Sequence, residues 1–421
     1  MSNKIKLLYV DLFCGAGGTS TGVEQSTLHG EKCARVIACV NHDPKAIASH
    51  LANHPETVHF TEDIRTLAME PLVAVVEKAR KQYPDAKLVL WASLECTNFS
   101  KAKGGQPRDA DSRTLADHLP RYIKALNPDY IQIENVEEFM AWGKLDENGK
   151  PVSRDNGSDY VRWVGGICNL GYTYSWRLLN AADFGAYTSR KRFFGQFAKG
   201  RLPHAFPEAT YSKNGDTSDN LFGIGLNKWK PVRDVLDLDD DGESIFGRKK
   251  PLVEATLKRI YAGLVKFVAG GEEAFLVKYN SMGSNGKYVP QKVVTADCFL
   301  FNPSYQSNGG SVDNPCFTLV ARMDKVPPYI VQTERGVGIE LYESDSPMIR
   351  KIKEFMAAYC IIDIKMRMLK VSELKAIMGF PPDYTLVGTQ SEQKKFIGNA
   401  VEVNQSRVLC EALAKRLEEV A

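Results

Sequence analysis

Over the first 195 residues, short apolar runs alternate with stretches whose apolar positions recur at helical spacing. The runs predict strands at Lys6–Phe13, Ala34–Asn41, Lys87–Ala92 and Tyr130–Glu134, with two more near Tyr172–Leu179 and Arg192–Phe197. Between them the period predicts helices, for example over Pro44–Asn53, Pro71–Gln82 and Arg113–Leu126. Strands alternating with helices in this way bury a largely parallel sheet between helical layers, so the predicted class is α/β and doubly wound. Trp142–Tyr160 interrupts the pattern; it is rich in Gly, Asp and Asn and is expected to be an exposed insertion.

From about Leu202 to Val331 the texture changes. Helical periodicity weakens except over Leu252–Val268, and Gly, Pro, Asn and Ser become frequent, which predicts an irregular, partly β domain with long loops. After Ile364 helical spacing returns in VSELKAIMGF and in a final helix over Asn404–Val420. There is no internal repeat or low-complexity tract.

Composition narrows this picture only a little. With 421 residues and 43% hydrophobic content the chain can bury a large core, and at roughly 100–200 residues per domain two or three domains are expected. No apolar run approaches the roughly 18 residues that span a bilayer. The opening MSNKIKLLYVDLF carries no secretory cleavage pattern and leads into a strand, so a soluble, intracellular protein is expected. Nine cysteines lie scattered, without paired metal-ligand spacing or a compact disulfide framework; reduced thiols and no metal are expected. A net charge of +3 permits nucleic-acid binding without requiring it, since a local basic surface suffices to hold phosphates.

Candidate chemistry begins at DLFCGAGGTSTG, Asp11 to Gly22, which follows a predicted strand and opens toward a helix. Phe13, Gly15, Gly17 and Gly18 make a tight turn whose backbone can approach a ligand, or a plain structural turn. The turn lacks the Lys-Ser/Thr of a P-loop and the spacing of the dinucleotide fingerprint, which argues against a nucleoside triphosphate or a dinucleotide. A nucleoside cofactor here needs polar groups beyond the next strands. Asn41 and Asp43 end one of them, and Asp63 in TEDI can accept from an adenine amino group. Asp43, before Pro44, serves equally well as a helix cap.

LVLWASLECTNFSKAKGG, Leu88 to Gly105, runs an apolar strand into Cys96 and a polar loop. Carbon 5 of a pyrimidine is a poor nucleophile until a group adds at carbon 6, and a thiolate does this well; an inert buried thiol is the alternative. IQIENVEEF delivers Glu134 and Asn135 from a strand end, where a carboxyl group could contact ring nitrogen 3 and the exocyclic amine or simply pair with a base. In TSRKR, Arg190 and Arg192 fall on one face of a strand, to hold a base carbonyl and a phosphate or to pair with surface acids.

Taken together, these motifs resemble the bacterial and phage DNA (cytosine-5) methyltransferases from end to end. DLFCGAGGTSTG is similar to the cofactor motif, LECTNFS to the catalytic-cysteine motif, IENV at 133–136 to the Glu-Asn-Val motif, and TSRKR to Gln-x-Arg-x-Arg with Thr188 in place of Gln. RMLKVSELKAIMGFP, Arg367 to Pro381, resembles the segment that supports the recognition domain, and KKFIGNAV, Lys394 to Val401, the closing motif. The resemblance implies a Rossmann-like S-adenosylmethionine-dependent methyltransferase domain at 1–200 and a target recognition domain at 201–364. A supporting segment at 365–385 and a return to the catalytic domain at 386–421 follow.

It implies Cys96 as nucleophile and Glu134 as the group that binds and activates the base, with Arg190 and Arg192 supporting base and phosphate. Phe13, Gly15, Gly17, Asn41, Asp63, Leu115, Asn399 and Val401 would line the S-adenosyl-L-methionine site. The cytosine would be flipped out of the duplex. Lys278, Asn280, Lys287, Arg322 and Lys325 are candidates to donate to phosphates or base edges. The implied partner is double-stranded DNA, bound by a monomer in the cytoplasm of a bacterial or phage-infected cell, with no membrane. A cognate restriction endonuclease is a companion that the resemblance leaves open. Glu95 stands where the family usually has Pro, Asn41 where it has an acid, and Glu402-Val403 where it has Pro-Pro. An RNA substrate, a different transferred group, and a catalytically inactive DNA-binding relative are the alternatives.

Overall fold

The computed structural model describes residues 4–94, 115–143, 157–215, 225–270, 297–302 and 309–420. Cys96, Lys278, Asn280 and Lys287 lie outside the described residues. The chain divides into two compact units. One holds Met1–Trp229, Thr318–Ala321 and Met378–Ala421; the other holds Lys230–Phe317 and Arg322–Ile377.

The first unit alternates strand and helix. The strands of its main sheet are β1 (Leu7–Leu12), β2 (Ala34–Asn41), β3 (Val58–Thr61), β4 (Lys87–Ser93), β5 (Tyr130–Asn135), β6 (Tyr172–Asn180) and β7 (Lys191–Lys199). Its helices over the same stretch are α1 (Gly18–Gln25), α2 (Pro44–Asn53), α3 (Met69–Gln82), α4 (Leu119–Leu126) and α5 (Ser158–Cys168). Among the described residues the seven strands form one sheet in the order β3-β2-β1-β4-β5-β7-β6. The first five run parallel, and β7 runs antiparallel to both β5 and β6. Every residue of β1 and of β5 is buried, as expected of strands covered on both faces. One face packs Leu72, Val76, Tyr122, Ile123 and Ile167 from the helices; the other packs Tyr9, Val36, Trp91 and Phe194 with Leu409 and Leu413 from the C-terminal helix.

Three sequence expectations change here. The strand β3 was not predicted, because four residues with exposed Val58 and Thr61 make a short edge strand that carries little apolar signal. Trp142–Tyr160 is not simply an exposed insertion. The Trp142 ring is buried and stacks on Phe139 at 5.8 Å, and the Tyr160 hydroxyl meets that of Tyr174 at 2.6 Å. Aromatic ends thus tie this stretch to the core; residues 144–156 between them lie outside the described residues. The predicted helix over Arg113–Leu126 resolves into a 3-10 turn at Leu115–His118 followed by α4, with Pro120 in its first turn, where a missing N–H costs nothing.

The second unit carries an antiparallel sheet. Its strands are β8 (Glu243–Ser244), β9 (Cys298–Phe301), β10 (Gly310–Ser311), β11 (Tyr329–Arg335) and β12 (Ile361–Met368), in the order β8-β12-β11-β9-β10 among the described residues. Helices α6 (Glu254–Gly263), α7 (Pro347–Ala358) and α8 (Val371–Ile377) accompany it. Leu257, Ile260, Ile352, Phe355 and Met356 from α6 and α7 pack on Phe299, Val331 and Ile364 of the sheet. The unit is partly β as expected, yet its core is regular.

The chain leaves the first unit at Trp229. The indole nitrogen of Trp229 donates to Asp183 Oδ1 at 2.9 Å, and Tyr211–Ser212 pairs with Asn227–Lys228. After Ile377 it rejoins the first unit through α9 (Gln390–Asn399), opened by a Thr389/Glu392 capping box, and α10 (Val403–Glu419).

Candidate active site

The carboxyl ends of β1, β2 and β3 lie side by side. Leu12 pairs with Val40 and Asn41 with Thr61, so Phe13, Asn41 and Asp63 all follow one edge of the sheet. There the chain turns sharply: Phe13 has φ +60°, Gly15 +52° and Gly17 +100°, and Gly17 N–H donates to Cys14 O at 3.0 Å. The glycines divide the labour. A Cβ on Gly18 would stand 2.4 Å from Val401 O, and one on Gly22 would stand 2.3 Å from Val403 O, so both are required by the close passage of the C-terminal segment. Among the described residues, a Cβ on Gly15 would meet nothing within 4 Å, so they leave that side of the turn open. Val401 is buried in the core, whereas Asn399 is exposed.

Behind the turn, Asp11 is fully buried at the end of β1, and burial pushes its carboxyl up to about 8. Ser20 donates to Asp11 Oδ2 at 2.7 Å, and His50 Nε2 lies 2.8 Å from Ser20 Oγ. Sequence reasoning did not single out Asp11, Ser20 or His50; the one signal was an acid inside the apolar run LLYVDL. Asp43 caps α2, accepting from Lys45 N at 2.9 Å, and Asn41 Oδ1 accepts from Asp43 N. Arg65 holds the Asp63 carboxyl at about 2 through a bond of 2.6 Å to Oδ2, leaving it a charged acceptor near the surface. Leu115, half-buried, packs on the same core as Phe13.

At the other half of the edge, Glu134 ends β5 opposite Ser93 of β4. It is buried, and burial raises its pKa against the pull of Arg192 and Arg190. Arg192 Nε stands 3.3 Å from Glu134 Oε1. Asn135 donates to Leu94 O at 3.3 Å and accepts from Val136 N at 2.8 Å, tethering the end of β4 to β5. Arg190 immediately precedes β7. Its guanidinium is buried and donates to Leu319 O at 3.0 Å and Gly398 O at 3.4 Å. Glu402 caps α10 through Gln405 N at 2.9 Å, and burial lifts its carboxyl to about 7.

The motifs that order these groups extend over nearly the whole chain. A family description of the C-5 cytosine-specific DNA methylases matches residues 7–415. The chain belongs to this family. It is a DNA cytosine-5 methyltransferase, and like the rest of the methylases it uses S-adenosylmethionine as methyl donor and works through a covalent adduct with the base.

Among its relatives, the methylase is 23% identical to the type II methyltransferase M.SacI of Streptomyces achromogenes, over 98% of this chain and 94% of that protein. It is 22% identical to M1.HphI of Haemophilus parahaemolyticus, over 98% of this chain and 87% of that protein. The fold is shared with the methyltransferase EhMeth of Entamoeba histolytica, at a TM-score of 0.54 and 14% identity over 98% of this chain and 99% of that one. Dnmt2 of S. pombe aligns with a TM-score of 0.51 and 14% identity over 99% of each chain. Among the described residues of the methylase no helix is long and apolar enough to cross a membrane. The glycine turn fits the methyl donor: Phe13, Gly15 and Gly17 are left-handed, Val401 lies against Gly18, and among the described residues nothing stands within 4 Å of a Cβ at Gly15.

Proposed function

We propose that Cys96 is the nucleophile of this methyltransferase and that Glu134 is the acid that engages the cytosine. The observation that carries this is the buried carboxyl at the end of β5, paired with Arg192 and beside the strand that leads into LECTNFS. In this reading the Cys96 thiolate adds to carbon 6 of a flipped cytosine. Glu134, whose proton is favoured by burial, hydrogen-bonds ring nitrogen 3 and the exocyclic amine and stabilises the charge that develops on the ring. Arg192 orients Glu134 and reaches the base carbonyl. Arg190 positions the segment around Leu319 and Gly398 from within the core.

S-adenosylmethionine supplies the methyl group when bound. Phe13, Gly15, Gly17, Asn41, Asp63, Leu115, Asn399 and Val401 are the residues proposed to hold it. The second unit, with part of the preceding chain, is proposed as the target recognition domain. The substrate is then double-stranded DNA, met by a monomer in the cytoplasm of a bacterium or phage host. The type II relatives support a restriction endonuclease as companion.

The test uses duplex DNA with 5-fluorocytosine, whose fluorine cannot leave as a proton does. Protein, cofactor and this duplex should yield a denaturation-resistant adduct that Cys96→Ala abolishes. Absence of any adduct on duplexes that carry 5-fluorocytosine in place of every cytosine, or an adduct that persists in Cys96→Ala, overturns the assignment.

A further inference from the structure

The first three strands of the sheet place a second group of chemically reactive side chains behind the glycine turn. Asp11 of β1 is the register neighbour of Cys39 on β2, and Cys39 is the register neighbour of His59 on β3, so the three stand in one row across the sheet. Cys14 follows β1 in the turn itself, its N–H donating to Val40 O at 3.2 Å. Helix α2 covers the row with His50. Cys14, Cys39 and His50 are all buried, and their Sγ, Sγ and ring-nitrogen atoms lie within 4.8 Å of one another. His50 Nδ1 is 3.7 Å from Cys39 Sγ and 2.9 Å from His59 Nε2.

We infer that Cys14, Cys39, His50 and His59 form a binding site for a thiophilic divalent cation of the zinc class, which fastens the glycine turn to β2, α2 and β3. Two thiols and two imidazoles are a tetrahedral zinc set, and such soft donors discriminate against magnesium and calcium. The ligand atoms of a zinc tetrahedron stand about 3.3–3.8 Å apart. Bringing Cys14, Cys39 and His50 from within 4.8 Å to that figure takes up to about one ångström, and His50 and His59, now 2.9 Å apart, must part slightly; side-chain rotation covers both.

The outer contacts fit as well. His50 Nε2 meets Ser20 Oγ at 2.8 Å, and Ser20 meets Asp11 Oδ2 at 2.7 Å, the carboxylate relay that commonly orients a ligating imidazole through its other nitrogen. Asp11 Oδ1 is buried without a hydrogen-bond partner among the described residues, so the relay ends on a carboxyl group that a nearby positive ion would stabilise. The charge balances: the ion displaces one proton from each thiol, and two thiolates neutralise its two charges.

The cluster differs from the active site in what it offers. No substrate is implied; the ion is a structural rivet under the cofactor turn. The full-length protein, stripped with a chelator, is titrated with Co²⁺ alone. One equivalent should produce sulfur-to-cobalt charge-transfer absorption and tetrahedral d–d bands. The signal should vanish in Cys39→Ser and His50→Gln, change its d–d pattern in His59→Gln, and persist in Cys96→Ala and Cys33→Ser.

If a variant does not fold, the unaltered protein still decides. One equivalent of Zn²⁺ should slow alkylation of Cys14 and Cys39, mapped by mass spectrometry, by about tenfold or more, because a bound ion suppresses the local opening that exposes them. The exposed Cys360 should react at the same rate with or without the ion. Failure to bind cobalt, a signal that survives Cys39→Ser or disappears with Cys96→Ala, or unprotected Cys14 and Cys39 overturns the inference.

Discussion

The two halves of the sheet's carboxyl edge are built on different physical principles. Around β1 and β2 the site is shaped by backbone: left-handed turns at Phe13, Gly15 and Gly17, and glycines at 18 and 22 that admit the C-terminal segment to within contact distance. Around β5 and β7 it is shaped by charge: Glu134 and Arg192 lie buried against each other, with Arg190 fastened to main-chain carbonyls nearby. A region specified by shape tolerates a change of charge better than a change of volume. A region specified by charge does the reverse. Substitutions that keep one quantity and alter the other therefore separate the two halves.

The largest effect is expected from Glu134→Gln, which preserves volume and removes the acid. Loss of a positioned acid costs about 10²–10⁴-fold in rate. Turnover should fall by that order while DNA affinity changes little, because the interaction strengthens as charge develops on the ring. Steady-state kinetics beside DNA-binding titrations check this. Equal losses of rate and binding would make Glu134 a structural partner of Arg192 and dissolve the contrast.

Next is Gly22→Ala, which adds one methyl group and no charge. Its Cβ would stand 2.1 Å from Ser406 Oγ and 2.3 Å from Val403 O, and a backbone carbonyl cannot swing aside as a side chain can. Overpacking of this kind costs about 1–3 kcal/mol, and the upper part of that range is expected. Gly166→Ala on α5, where no described residue lies within 4 Å, is the control and should be stabilising by up to about 1 kcal/mol. Denaturant midpoints measured on both variants test the claim.

The same contrast explains what was legible in the sequence. Apolar runs fix strands that are buried on both faces, so β2 was bounded to the residue and β1, β4 and β5 to within a residue or two at each end. The glycine turn was legible as a turn, since few other residues adopt its backbone. Partners distant in sequence were not legible. Nothing in TSRKR says that Arg190 turns inward to Leu319, 129 positions away. Likewise Cys14, Cys39, His50 and His59 show no ligand spacing, because four separate elements deliver them. Trp229, the last residue of the first unit before the chain leaves it, is tied back by an indole hydrogen bond to Asp183 that no compositional shift announces.

A third expectation concerns pH and the segment that returns to the turn. Burial raises Glu402 from its ordinary 4.5 to about 7, outweighing the N–H groups of α10 that favour its charge. The folded protein therefore holds a proton there that the unfolded chain gives up. That stabilisation is complete below about pH 4.5 and is lost as pH rises through 7. Glu402→Gln, which keeps an oxygen to accept from Gln405 N, should flatten the decline in thermal midpoint between pH 5 and pH 8. A decline of unchanged slope would assign that pH dependence to other groups, such as Asp11.

The smallest effect tests whether the shape-determined half carries any charge that matters. Asp63 sits near the surface with Arg65, and an exposed pair of this kind contributes only about 0–1 kcal/mol to stability. Asp63→Asn should therefore leave the denaturant midpoint almost unchanged. If the carboxylate also accepts from the amino group of the cofactor's adenine, its loss removes a charge-assisted hydrogen bond worth about 1.5–3 kcal/mol. Part of this returns because the amide oxygen still accepts, so KM for S-adenosylmethionine should rise by about tenfold or less at constant kcat. Raised KM with unaltered stability would place one functional charge in the half that glycine otherwise defines. Lost stability with unaltered KM would instead make Asp63 the anchor of Arg65 and leave recognition there to the backbone.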